Sequence, residues 1–145
     1  MGVNMMKKTA SLLLSLFLTS SCAVASFEVH YMEFFQEALN RKCFALPVNA
    51  YFSRLEPEIA GYCIPGFGIL INEDRWASFG EYQKKEVMWH ELAHCTLGLD
   101  HSEPGLMAPV MHTEEELKQN WATWANLLFS SCEKWGEPES PPQKK

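Results

Sequence analysis

Apolar residues recur at spacings of three and four along the segment from Phe27 to Lys42. This spacing is typical of an amphipathic helix that buries one face and exposes the other. The apolar positions are Phe27, Tyr31, Phe34, Phe35, Ala38 and Leu39. We expect this helix to end near Cys43.

The next apolar segments are short and β-prone, which is typical of strands. One runs from Val48 to Leu55, and a second runs from Ile59 to Ile64. The second continues through Pro65-Gly66-Phe67-Gly68 into Ile69-Leu70-Ile71. Because proline and glycine together mark tight turns, this stretch predicts a hairpin around Pro65-Gly66.

Two later segments begin with a helix-start signal of the capping-box form. Ser78-Phe79-Gly80-Glu81 precedes the segment from Tyr82 to Leu97, which contains no proline or glycine and predicts the central helix. Gly98 then serves as the predicted C-cap. Thr113-Glu114-Glu115-Glu116 precedes a second helix with an apolar stripe that is expected to pack as core. The stripe consists of Leu117, Trp121, Trp124 and Leu128.

Length and composition predict one globular domain behind an export signal. The 145 residues are 47% hydrophobic and 21% charged, as in an ordinary folded domain. Lys7 and Lys8 precede a short apolar run, as in a secretory signal and unlike a membrane-spanning helix. Cleavage after Ala23-Val24-Ala25 gives a signal peptide of residues 1–25, whereas a loose lipobox ends the signal at residue 21 and leaves a lipid anchor on Cys22. The domain then spans residues 26–135, and the proline-rich residues 136–145 are expected to be disordered.

The net charge and the cysteine count limit the partners that the protein can bind and the compartment in which it is expected. Without residues 1–25, ten basic residues remain against eighteen acidic ones, a net charge of about -8, so nucleic acid is excluded as a partner. Contact with a membrane is expected only through Cys22. Four cysteines remain, an even number that favours two disulfides in an exported protein, which would be periplasmic, secreted or lipid-anchored in the cell envelope. Their three possible pairings stay open; the cysteines are Cys43, Cys63, Cys95 and Cys132.

The segment His90-Glu91-Leu92-Ala93-His94 carries the chemistry of the chain. On the predicted central helix, His90 and His94 lie at positions i and i+4, so both side chains leave the same face and can bind one metal ion. The carboxylate of Glu91 can reach a water on that metal and take its proton. The pattern predicts a catalytic metal site, whereas His30 and His112 are expected to have structural or surface roles.

The longer segment from His90 to Ser102, HELAHCTLGLDHS, resembles the zinc-binding segment HExxHxxGxxH of the metzincin metallopeptidases. With Cys95 after the second histidine, it is also similar to the HELGHCxLxxxH segment of small exported bacterial proteins of metallopeptidase type. One extra residue separates His94 from Gly98. We expect His101 to be the third ligand because Gly98 lets the chain turn back and the Gly-x-x-His interval is intact; in strict register the alternative is Asp100.

The resemblance also implies a fold and a reaction. Gly105-Leu106-Met107-Ala108-Pro109 is similar to the Met-turn of metzincins, with Met107 as the methionine beneath the metal. The implied fold is α+β, a minimal zincin-like domain with a small mixed sheet, a backing helix, a metal-binding helix and a C-terminal helix. The implied activity is that of a zinc-dependent endopeptidase that hydrolyses peptide or protein substrates with a metal-activated water and Glu91 as general base. The hairpin arm that ends at Asn72 is expected to offer a strand edge to an extended peptide.

A noncatalytic alternative is an exported binding module that a metal ion and disulfides stabilise. Glu91 discriminates between the two. A purely structural site needs no acid beside its first ligand, and it normally has a fourth protein ligand.

Overall fold

A computed structural model describes residues 26–130 and Cys132. The helices in this range are α1 (Glu28–Asn40), α2 (Glu73–Ser78), α3 (Glu81–Leu92) and α4 (Glu114–Phe129). The strands are β1 (Ala50–Ser53), β2 (Gly61–Ile64) and β3 (Gly68–Asn72), and a π-helical turn, Ala93–Leu97, continues α3. None of these helices is long and apolar enough to cross a membrane. The predicted export signal, Cys22 and the tail 136–145 lie outside the described residues.

The three strands form one mixed sheet in the order β1-β3-β2. β1 pairs with β3 in parallel, and β2 pairs with β3 in antiparallel orientation. The predicted hairpin is confirmed: the Phe67 N–H donates to the Ile64 carbonyl at 3.0 Å, and Gly66 has a φ of 78°. A turn with proline second and glycine third requires this positive φ at the glycine. The chain therefore has the α+β architecture with a small mixed sheet that the sequence predicts.

The position of the free strand edge differs from the prediction. The arm that ends at Asn72 is β3, and both of its edges are occupied because it lies between β1 and β2. The prediction that this arm offers an edge to a peptide was wrong. The hydrophobic pattern does not show which strand of a hairpin lies at the sheet edge. β3 is the central strand here because β1, which is distant in sequence, pairs with it in parallel. Among the described strands, β2 is the hairpin strand at an edge of the sheet.

The start of α3 also differs from the prediction. Ser78 does not cap α3; it is the last residue of α2, a short helix that the sequence pattern did not predict. The carboxylate of Glu114 accepts the N–H groups of Tyr82 and Gln83, both at 3.1 Å. The first turn of α4 thus caps the first turn of α3. By contrast, the capping box that begins α4 is confirmed, with reciprocal bonds between Thr113 and Glu116.

The core lies where α1, α3 and α4 pack together and against the sheet. Phe34 of α1, Trp89 of α3 and Phe129 of α4 contact one another with ring centroids 5.4–5.8 Å apart. This aromatic contact fixes the axis of α3, because burying each ring contributes roughly 1.5–3 kcal/mol. Helix α3 is therefore a rigid support for the polar residues at its C-terminal end.

Two disulfides resolve the open cysteine pairing. Cys43, just after α1, bonds to Cys132, which follows α4, over a separation of 89 residues. Cys63 of β2 bonds to Cys95 of the π-helical turn over 32 residues. The second disulfide links the edge of the sheet to the end of the helix that carries His90.

Candidate metal centre

Three histidine side chains converge at the C-terminal end of α3. His90 lies in the last turn of α3, His94 in the π-helical turn, and His101 in the loop beyond Gly98. The Nε2 atom of His90 lies 3.0 Å from that of His94 and 3.2 Å from that of His101. Among the residues that the structure describes, this is the one group of three or more metal-ligating side chains whose donor atoms cluster closely.

Backbone carbonyls fix which nitrogen of each ring carries the proton. His90 Nδ1 lies 2.7 Å from the Leu106 carbonyl, and His94 Nδ1 lies 2.5 Å from the Leu99 carbonyl. A carbonyl oxygen only accepts, so both Nδ1 atoms must be the donors. In the neutral rings, both Nε2 atoms then present lone pairs, and neither can donate to the other. Such an arrangement is satisfied by a cation that both lone pairs face.

The burial of these histidines favours the neutral form that binds metals. The pKa of His90 is lowered to about 4, chiefly by burial and to a smaller extent by His94 and His101, while the bond to Leu106 opposes the shift. Burial also lowers the pKa of His94. Both rings are therefore uncharged at neutral pH. Metal binding does not have to displace a proton from either of them.

The spacing of the nitrogens fits a small tetrahedral ion. Ligand nitrogens at about 2.0–2.1 Å from a tetrahedral zinc ion are about 3.3 Å apart. Two of the three separations, 3.0 and 3.2 Å, are within a few tenths of an ångström of that value, and all three donor atoms lie within 4.8 Å of one another. Imidazole nitrogen is also a donor that zinc prefers. The residues present thus fit a zinc ion.

The π-helical turn accounts for the extra residue after His94. In the turn Ala93–Leu97, the N–H of Gly98 bonds to the carbonyl of Ala93, five residues earlier. A π-type turn accommodates one residue more than an α-helical turn. Gly98 then ends the helix with a φ of 64°, the left-handed conformation that glycine adopts without strain. The chain reverses there and brings His101 back to His90.

The remaining predicted site residues lie near the three histidines. Asp100 is exposed and is not part of the cluster of metal-ligating side chains. Met107 is buried in the turn from Gly105 to Ala108, whose Leu106 carbonyl contacts His90. The Met107 carbonyl accepts the N–H of Ser102 at 2.9 Å, which ties this turn to the loop after His101.

Glu91 is buried beside the cluster, beneath strand β2. Its side chain is only 8% exposed, and burial raises its pKa to about 7, opposed by a hydrogen bond from the Cys63 N–H. A Cβ placed on Gly61 would lie 2.8 Å from Glu91 Cγ, so the strand backbone packs directly against this side chain. Glycine at position 61 is what allows that approach.

Two adjoining cavities of about 440 and 500 Å³ flank the cluster and form one cleft. Both are lined by strand β2 and by the end of α3; the shared lining residues are Gly61, Tyr62, His90, Glu91 and His101. The larger cavity is also lined by the segment 108–111. The cleft therefore follows the edge strand past the three histidines.

Two features of the site had no clear signal in the sequence. The carboxylate of Glu86, one turn before His90 on α3, contacts His112 Nδ1 and accepts the His112 N–H at 3.3 Å. This pair holds the segment after Met107 against α3. The second feature is the disulfide from Cys63 to Cys95, because spacing alone left three pairings open. The i, i+4 spacing of Glu86 and His90 was the one available hint that Glu86 shares the face of His90.

Comparisons with known protein families, with curated proteins and with solved structures find no match to this chain.

Proposed function

We propose that this protein is a zinc-dependent endopeptidase. The observation that carries the proposal is the convergence of three Nε2 atoms, two of them held as lone-pair donors by backbone carbonyls, next to a buried carboxylate. His90, His94 and His101 would hold the zinc ion. Three protein ligands leave one tetrahedral position for water or substrate, which is the arrangement of catalytic zinc sites.

A zinc ion held by these histidines would supply Lewis-acid chemistry towards a water molecule and a peptide carbonyl. Glu91 accepts the proton of the attacking water and then donates it to the leaving amine. Because the side chain is buried beside His90 and lines the cleft, it faces the reacting groups with little competing solvent. The Cys63 N–H holds its orientation.

The cleft accommodates an extended peptide. Strand β2 pairs with β3 on one side only, and its residues Gly61, Tyr62 and Cys63 line the cleft, so the backbone of a substrate could add to it as a further strand. Tyr62 of β2 and Val110 of the segment 108–111 stand at the rim and are more than half exposed. They would contact substrate side chains on either side of the scissile bond.

An oxidising compartment agrees with this activity. Two disulfides in a small domain are typical of exported proteins. We therefore propose that the protein acts outside the cytoplasm, on peptide or protein substrates of the cell envelope or the surroundings, and that Cys22 is its point of contact with a membrane if it is lipidated.

The test is peptide cleavage read by mass spectrometry with three preparations of the purified protein. The first is loaded with one equivalent of zinc, the second is treated with a chelator and desalted, and the third is the second with zinc restored. We expect cleavage products in the first and third preparations and none in the second. The peptide set should be long and varied, so that an unusual preference at the rim is not missed.

The noncatalytic binding module predicts a different outcome. It would bind zinc and gain thermal stability from it, yet the loaded protein would cleave no peptide in the set. If the protein binds one equivalent of zinc but none of the three preparations cleaves any peptide, the peptidase proposal is overturned in favour of the binding module.

A further inference from the structure

The two disulfides occupy different parts of the molecule. The bond between Cys43 and Cys132 joins the ends of α1 and α4, on the side of the aromatic core. The bond between Cys63 and Cys95 joins strand β2 to the π-helical turn, and Cys63 lines the cleft beside the histidines. The two cysteines of the second bond are 5.6 Å apart at Cα.

At its Cys63 end, the second disulfide lies next to Glu91. The N–H of Cys63 donates to the Glu91 carboxylate, and Gly61 packs against the same side chain. The position of strand β2 therefore sets the position of the carboxylate. β2 has four residues and is at an edge of the sheet, so pairing with β3 alone gives it limited support.

At its Cys95 end, the second disulfide lies next to His94, one of the proposed metal ligands. Cys95 follows His94 directly in the π-helical turn. Turns of this type are rare and occur mostly as single turns inside α-helices, frequently at functional sites, so this one needs support from its surroundings against reversion to α-helix. Reversion would rotate the residues after His94 and move the Leu99 carbonyl that His94 Nδ1 contacts. A covalent bond from Cys95 to the sheet prevents this rotation.

We propose that the Cys63–Cys95 disulfide is a positioning element of the metal centre, whereas the Cys43–Cys132 disulfide stabilises the fold as a whole. The first keeps β2 against Glu91 and holds the π-helical turn in the form that presents His94 and brings back His101. Its effect on turnover rests on the proposed peptidase function, but its effect on the metal site does not.

The test compares the double variants C63A/C95A and C43A/C132A, purified after expression of the full chain. The measurements are zinc affinity by competition with a chelator, the visible absorption spectrum after loading with Co²⁺, and thermal unfolding. Losing an outer support of a metal ligand typically costs 10–100-fold in metal affinity. We expect a loss of this size and an altered cobalt spectrum in C63A/C95A.

The matched variant C43A/C132A removes the disulfide that closes the longer loop, which constrains the unfolded chain more. We expect a fall in its melting temperature at least as large as in C63A/C95A. Its zinc affinity should stay within about threefold of the wild type, and its cobalt spectrum should be unchanged. Where peptide cleavage is measurable, kcat should fall about tenfold or more in C63A/C95A, with KM within threefold.

A second measurement covers the case in which C63A/C95A does not fold. Folded C43A/C132A protein is treated with the phosphine reductant TCEP, and the opened cysteines are identified by alkylation and mass spectrometry. Opening the bond between Cys63 and Cys95 should then lower the zinc affinity of this protein. Wild-type affinity and spectrum after that bond is opened, or equal losses in both double variants, would overturn the proposal. An inert wild type would instead count against the peptidase function, while the zinc and cobalt measurements still decide this proposal.

Discussion

The five histidines of the chain form two groups that differ in what their ring nitrogens face. In the first group, His90, His94 and His101 face one another, with Nε2 atoms 3.0 and 3.2 Å apart. In the second group, His30 and His112 face glutamates. A carboxylate beside an imidazole gives a ring N–H a protein acceptor, whereas lone pairs directed at each other are satisfied by a shared cation. The first group could therefore hold a metal ion.

The buried glutamates near the two groups also differ in what their carboxylates contact. Glu86 contacts His112 directly, so its carboxylate is engaged by a protein partner. Glu91 is as deeply placed in α3 and follows His90 in sequence, yet its hydrogen bond comes from the backbone of Cys63. An acid beside metal ligands that does not pair with them is available for proton transfer. The comparison separates a structural ion pair from a candidate catalytic base on one helix.

The largest effect expected from this comparison is on turnover. Glu91→Gln keeps the size and hydrogen bonding of the side chain but removes the proton acceptor, so cleavage should fall by about 10² to 10⁴. Zinc content should stay at one equivalent. Glu86→Gln is the comparison variant, because Glu86 is also a buried glutamate of α3 that lines the cleft, but its carboxylate pairs with His112; its cleavage rate should fall far less than that of Glu91→Gln. Equal rates for Glu91→Gln and the wild type would rule out Glu91 as the base.

The second largest expected effect is on zinc affinity, which should depend on the first group of histidines and not on the second. His101→Ala removes a proposed ligand, so affinity should fall by at least about 10²-fold, more than an outer support contributes. Asp100→Ala and His112→Ala should each stay within a few-fold, measured by competition with a chelator. If Asp100→Ala loses zinc while His101→Ala retains it, the third ligand is the aspartate.

Local signals in the sequence predicted the elements that local interactions determine. The turn at Pro65-Gly66, the capping box at Thr113 and the helix end at Gly98 each depend on a few adjacent residues, and the structure has all of them. The convergence of His90 with His94 follows from helix geometry alone. The position of His101 followed from keeping the interval after Gly98, and the π-helical turn supplies the physical reason.

Contacts between distant parts of the chain could not be predicted in this way. Helix α2 has six residues and buries one large side chain, Trp76, so it leaves no periodic pattern. Its start is fixed by the Asn72 side chain, which accepts from the N–H of Asp74 and whose amide nitrogen lies within hydrogen-bonding distance of three carbonyls in the loop between β1 and β2. The capping of α3 by Glu114 likewise joins residues about thirty positions apart. Such contacts depend on the packing of the whole domain.

The smallest expected effect is on stability in acid and concerns His30 of the second histidine group. Burial lowers the pKa of His30, and the carboxylates of Glu81 and Glu33 only partly oppose this shift. Because the folded-state pKa is below the unfolded value of 6.5, the stabilising contribution is complete above pH 6.5 and is lost as the pH falls towards the folded-state pKa. His30→Gln cannot take up a proton, so its free energy of unfolding should fall less between pH 7.5 and 5 than that of the wild type. One titrating group changes this slope by at most about 1.4 kcal/mol per pH unit. Urea unfolding in excess chelator measures the difference, since the other histidines then titrate equally in both proteins. A wild type whose free energy of unfolding falls no more than that of His30→Gln between pH 7.5 and 5 would show that His30 is not held neutral by burial.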